Sequence, residues 1–146
     1  MKIALLGTSF PFRGGISDYN ERLAREMQKD GHKVTIYTFT LQYPNLLFPG
    51  RSQYSERSAP TDLTIVECIN SINPLNWQKV GNNIKQKFYD FVLVSYWIPF
   101  MAPCLGTIAK RIKRNNISKI ISIAHNMIPH EKRIGDRILT RYFAKQ

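Results

Sequence analysis

Two cysteines in 146 residues, Cys68 and Cys104, are too few for a disulfide framework. Reduced thiols in a cytoplasmic protein are the simplest reading. Long apolar runs are missing as well: none reaches the ~18 residues that a membrane span needs. A single Lys precedes a short apolar stretch at the amino terminus, and no small-residue cleavage site follows. MKIALLG therefore reads as a strand and not as a signal peptide. The match of Asn116-Ile117-Ser118 to a glycosylation acceptor is then chance. No His/Cys/Asp/Glu cluster has metal-ligand spacing, so no metal is expected. The G-x-G-x-x-G fingerprint and the G-x-x-x-x-G-K-[ST] phosphate loop are both absent. No carboxylate cluster crowns the first and third strands, which argues against a phospho-receiver domain. Acidic residues are scarce throughout: 10 Asp+Glu face 21 Lys+Arg, for a net charge of +11 and a pI near 9.9. Such a balance favours anionic partners, whether nucleic acid, an anionic membrane surface or phosphorylated substrates. The alternative is a merely solvated basic surface.

What is present is an ordinary soluble composition, 43% hydrophobic and 21% charged, in a length that suits one domain with a real core. Lys2 to Gly7 is a compact apolar run, a buried strand. Ile16, Tyr19, Leu23 and Met27 fall at helical spacing, and Gly31 supplies a stop. Lys33 to Thr40 is β-branched and aromatic, a second strand. Leu41 to Pro60, with Pro44, Pro49 and Gly50, is a long loop of a kind uncommon unless functional or mobile. Leu63 to Cys68 is a third strand. Asn73-Pro74 opens a helix whose apolar face runs through Val80, Ile84 and Phe88. Phe91 to Ser95 is a fourth strand, which Tyr96-Trp97-Ile98-Pro99 ends. Leu105, Ile108, Ala109 and Ile112 mark another helix, and Lys119 to Ala124 a fifth strand. A basic helix closes the chain. Strands alternate with helices and several are apolar on both faces. The expectation is an α/β domain: a doubly wound, Rossmann-like parallel sheet with helices on both faces.

In such sheets ligands sit beyond the carboxyl ends of the strands, near a topological switch point. Three loops lie there: Thr8 to Gly15, Ser95 to Pro99 and His125 to Glu131. Gly14-Gly15 precedes a helix, so backbone N–H groups are available to an anion at that helix start, and Arg13 adds a cation. From the dipeptide alone, a plain strand-to-helix turn is the slightly better reading.

MKIALLG…FPFRGGISDYNERLAREMQKDGHKVTIYTF resembles the opening of a GT-B glycosyltransferase of family 4, the large retaining, nucleotide-sugar-dependent family. A first strand there leads to a Gly-Gly-Ile/Val loop, a helix of the type LAxxLxxxGHxV and a second strand. Gly31-His32-Lys33-Val34 matches that step. KIISIAHNMIPHE resembles the family's fifth strand, whose end carries an active-site His often followed by Asp or Asn. The order of the three motifs is more specific than any one of them.

The resemblance implies the amino-terminal, acceptor-side half of a two-domain enzyme that transfers a sugar from a nucleotide-sugar to a glycan or lipid-linked acceptor. It implies His125 as the catalytic residue beside the transferred sugar. Gly14 and Gly15, with Arg13, would receive the donor diphosphate. Asn126 stands where the family often has Asp, and it joins Tyr96 and Trp97 as candidate acceptor contacts; the aromatic pair is as readily core packing. The carboxyl-terminal half of such enzymes carries a Glu-x7-Glu motif, which these residues lack. The chain also ends inside a running helical pattern, so the expectation is a truncated domain, inactive alone. No cofactor is expected beyond the donor itself. Lys132 to Lys145 places Ile134, Ile138, Leu139, Tyr142 and Phe143 near one stripe, flanked by basic residues. An anionic membrane surface at the cytoplasmic face is thus one expected partner, against a helix simply packed on the sheet. The rival from another class is a non-catalytic basic α/β module that binds nucleic acid or another anion. No nucleic-acid signature supports it, so no nucleic-acid partner is expected.

Overall fold

A computed structural model of the chain describes residues 1–44, 52–125 and 135–146. Five strands form one parallel sheet: β1 (Lys2–Leu6), β2 (Lys33–Leu41), β3 (Thr64–Asn70), β4 (Phe91–Tyr96) and β5 (Lys119–Ala124). Their spatial order is β3-β2-β1-β4-β5. The chain therefore winds outward from β1 in one direction, returns, and continues from β4 in the other. The switch point lies between β1 and β4, which pair in parallel from Ile3↔Phe91 to Leu6↔Val94. The doubly wound architecture read from the alternating pattern is the one observed.

Among the described residues three α-helices lie between strands, α1 (Gly15–Lys29), α2 (Pro74–Lys85) and α3 (Ala102–Lys113), and α4 (Asp136–Ala144) follows β5. Local signals set their ends. Pro74 opens α2, and the Asn73 side chain accepts from Leu75 N and Asn76 N at 3.0 and 3.2 Å. Gly31, at φ +80°, closes α1 and lets His32 N reach back to Met27 O at 3.0 Å. A 3-10 turn at Pro99–Met101, not foreseen as a separate element, leads into α3.

Strand alternation divides the core into two layers. Leu6, Phe39, Val92, Val94 and Tyr96 face the layer that contains Val80, Leu105, Ile108 and Phe143 of α2, α3 and α4. Ile3, Leu5, Val34, Ile36 and Leu93 face the other side, where Ala24 of α1 packs on them. Coverage is uneven. The expectation of strands buried on both faces holds for β4, but Ile121 on the outer strand β5 is 44% exposed. Among the described residues α1 alone covers that side, and one helix does not span five strands. The carboxyl-terminal stripe is corrected in part too. Leu139 and Phe143 pack inward, with the Phe143 ring stacked on Tyr96 at 4.3 Å, whereas Ile138 is 75% exposed beside exposed Arg137 and Arg141. Lys132 to Ile134 lie outside the described residues.

The long segment after β2 is not merely open. Residues 52–57 fold back over the loop that follows β1. Phe12 and Tyr54 form an isolated antiparallel bridge and stack at 5.3 Å. Arg13 N donates to Gln53 O at 3.0 Å and Ser55 N to Pro11 O at 2.8 Å.

Candidate active site

The carboxyl ends of β1, β4 and β5 lie side by side, and the loop after β1 is tied down at almost every residue. Ser9 N donates to Thr38 Oγ1 at 3.0 Å, Asn20 Nδ2 to Thr8 O at 2.8 Å and Ser17 Oγ to Phe12 O at 2.9 Å. Glu21, a carboxylate only 1% exposed, is the hub. Its Oε1 accepts from Ser9 Oγ at 3.1 Å, from Phe10 N at 3.0 Å and from Arg57 Nη2 at 2.5 Å. Arg57 also reaches Asp18 at 3.2 Å, and Arg25 joins Asp62 at 2.5 Å. One helix thus fastens both the β1 loop and the segment folded over it. Two buried side-chain oxygens beside this edge, Thr8 Oγ1 and Asn20 Oδ1, have no hydrogen-bond partner among the described residues.

The fastened loop delivers Gly14 and Gly15 to the start of α1. Gly14 sits at φ +124°, a conformation L side chains rarely adopt, and caps the helix without any side-chain acceptor. Gly15 has no such restriction; a Cβ on either residue would meet nothing within 4 Å. Both glycines and Arg13 are exposed. An uncapped, side-chain-free helix start carries the positive end of the helix dipole and several N–H groups not used inside the helix, the arrangement that receives oxyanions.

His125 follows β5 immediately. Its backbone N donates to Tyr96 O at 2.8 Å, extending the ladder with β4 by one step. Its ring Nε2 lies 2.8 Å from Ser95 Oγ, and its edge meets the Tyr19 ring with centroids 4.9 Å apart. Tyr19 is one turn into the helix that Gly15 opens. The structure therefore brings the glycine pair and His125 to the same edge and the same face of the sheet. Partial burial holds the His125 pKa below the ordinary 6.5.

The aromatic candidates go elsewhere. Strand alternation turns Tyr96 to the face opposite Ser95. There it is fully buried, its hydroxyl 3.0 Å from Thr140 Oγ1. Trp97 is 6% exposed, packs edge-on against Phe39 and donates through Nε1 to Tyr43 Oη at 2.6 Å. Both ring systems belong to the core. Asn126 lies outside the described residues. Two residues at this edge were not singled out from sequence. Ser95 is an unremarkable strand-end serine until the register sets it beside His125. Glu21 carries only a weak signal, a carboxylate among the inward positions of an amphipathic helix. Among the described residues no group of three or more His/Cys/Asp/Glu side chains is placed to hold a metal ion. No helix among them is long and apolar enough to cross a membrane.

An uncapped glycine start to α1 lies at the carboxyl edge of the sheet, with His125 at the end of β5 on the same edge, and the fold defines a class: a doubly wound, Rossmann-like α/β domain. The family model described as Glycosyltransferase Family 4 matches residues 13–146, nearly the whole chain, and the protein belongs to that family. Its chemistry is accordingly glycosyl transfer. No curated protein matches the chain.

Proposed function

We propose that this chain is the acceptor-side half of a GT-B enzyme that moves a sugar from a nucleotide-sugar to a glycan or lipid-linked acceptor. In this reading the donor-binding half, with its Glu-x7-Glu motif, is supplied by a domain that residues 1–146 do not contain. The observation that carries the reading is the convergence of the Gly14–Gly15 helix start and His125 through Tyr19.

Breaking a sugar–diphosphate bond places charge on phosphate oxygens. Fixed N–H donors at the start of α1 would stabilise that charge without reorganising, because Glu21, Asn20, Ser17 and Thr38 already hold the loop. Arg13 adds a cation on the same loop. His125, neutral at physiological pH, is suited to hydrogen-bond a hydroxyl of the transferred sugar or of the acceptor. Tyr96 supports this edge from beneath, through its backbone carbonyl and its packing. The exposed Ile138, Arg137 and Arg141 on α4 suit contact with an anionic bilayer, where a lipid-linked acceptor would reside.

The test is transfer of radiolabelled sugar, from a panel of UDP-, GDP- and ADP-sugars, by the enzyme that joins this domain to its Glu-x7-Glu half. His125→Ala should lower turnover about 10²-fold, the scale of losing one positioned transition-state group. Unchanged turnover, or no transfer from any nucleotide-sugar, would refute the reading. Sedimentation with phosphatidylglycerol vesicles tests the surface contact, which is refuted if binding is absent at low salt.

A further inference from the structure

The structure assigns Ser95 as a positioning residue that fixes the His125 imidazole in its Nδ1–H tautomer, so that His125 meets its ligand as a neutral hydrogen-bond donor. The assignment deepens the proposed function and rests on His125 standing at the site.

Three observations carry it. First, Ser95 is fully buried, and among the described residues its hydroxyl has one hydrogen-bond partner, His125 Nε2 at 2.8 Å. A buried donor left without an acceptor is rare and costly, whereas an oxygen with a spare lone pair is tolerated. The hydroxyl proton therefore goes to Nε2, which must be the bare nitrogen, and the ring proton sits on Nδ1. The opposite tautomer would point Nε2–H at the serine oxygen and orphan the hydroxyl hydrogen in the core. Second, the contact is enforced by packing. A Cβ on Gly7 would lie 2.7 Å from Ser95 Cβ and 2.8 Å from Asn20 Nδ2, so only glycine at the end of β1 leaves Ser95 its place. Third, the ring is gripped from a second direction by Tyr19, edge-on at 4.9 Å. Nδ1 has no protein hydrogen bond among the described residues. Protonation of Nε2 would orphan the same hydroxyl hydrogen, which agrees with the direction in which burial moves this histidine.

A donor through Nδ1 suits the oxygen of a sugar hydroxyl or a phosphoryl group and does not suit proton abstraction. The experiment is a long-range 1H–15N correlation spectrum of the 15N-histidine-labelled protein, in which protonated and bare ring nitrogens are distinct. His32→Gln and His130→Gln variants assign the His125 signals. Wild type should show a protonated Nδ1 and a bare Nε2. Ser95→Ala, which leaves the packing nearly intact, should move the tautomer ratio about tenfold toward Nε2–H, the scale of one hydrogen bond. An Nε2–H tautomer in wild type, or an unchanged ratio in Ser95→Ala, overturns the assignment. The transfer assay on His125→Ala is read separately: wild-type turnover there would sink the site reading, whatever the tautomer.

Discussion

Removing the Glu21 carboxylate is the sharpest test of how the β1 loop is held. Glu21→Ala takes the acceptor from three donors: the Ser9 hydroxyl, Phe10 N–H and the Arg57 guanidinium. Ser9 is fully buried and Phe10 half-buried, so each loses its bond where water does not easily replace it, at about 1–3 kcal/mol apiece. Arg57 is 40% exposed and keeps Asp18 at 3.2 Å, so its share is under about 1 kcal/mol. The expected loss is about 2–7 kcal/mol, or a fall in Tm of about 4–28 °C for a domain of this size. Glu21→Gln keeps an oxygen for Ser9 and Phe10 and loses only the ion pairs with Arg57 and, at 3.8 Å, Arg25, so it should cost about 1 kcal/mol. Urea denaturation followed by tryptophan fluorescence measures both. Limited trypsinolysis gives the local readout: with its anchor gone, cleavage at Arg57 should accelerate in Glu21→Ala before global unfolding. A loss below about 1 kcal/mol for the alanine variant would refute the hub, since the hydrogen bonds would then be replaceable. Equal losses for alanine and glutamine would place the stabilisation in the charge and not in the anchoring of the loop.

The two glycines of the loop should separate cleanly. Gly14→Ala, at φ +124°, is expected to cost about 1–2 kcal/mol in denaturant titrations, whereas Gly15→Ala, helical and open, should be neutral or stabilising by up to about 1 kcal/mol. Because burial lowers the His125 pKa, the unfolded chain binds its proton first as pH falls. Stability from this group is complete above pH 6.5 and declines below it, and His125→Gln should flatten that acid-side slope in titrations run at a series of pH values. Burial pushes the Cys68 thiol up to about 11 and raises Cys104 further, so both should react slowly with an aromatic disulfide reagent in the native protein at neutral pH, and rapidly once unfolded.

Much of the fold could be read from local signals because the signals are local. Asn73-Pro74 marks the start of α2 to the residue, and Gly31 its partner event at the end of α1. The five apolar runs recover five strands within one or two residues. The Gly14–Gly15 start and His125 were legible for the same reason, as short motifs at strand ends. What stayed hidden depends on contacts between residues far apart in sequence. Nothing near Arg57 tells that it closes on Glu21, 36 residues earlier. Ser95 acquires its neighbour only through the β4–β5 register, which pairs Ser95 with Ile123 and so brings His125, two residues on and on the same face, beside it. Tyr96 and Trp97, which read from sequence as acceptor contacts or as core packing, depend on distant contacts in a related way. Their composition suits a sugar-facing floor, but period-2 alternation and the arrival of Phe143 from α4 commit Tyr96 to the interior. Uneven cover of the sheet was illegible too, since an apolar residue on β5 reads alike whether or not a helix lies over it.

One helix carries nearly everything at this edge. Gly15 begins α1, Tyr19 touches the imidazole, Asn20 grips the Thr8 carbonyl, and Glu21 fastens the loop and the segment above it. These four occupy barely two turns of a single stiff rod. Sliding or tilting that rod would displace the glycine end and the histidine end in concert, so neither can be retuned alone by changes within α1. Variation that spares α1 is therefore channelled into residues 52–62 and the strand ends, where a substitution alters one wall and leaves the shared axle untouched.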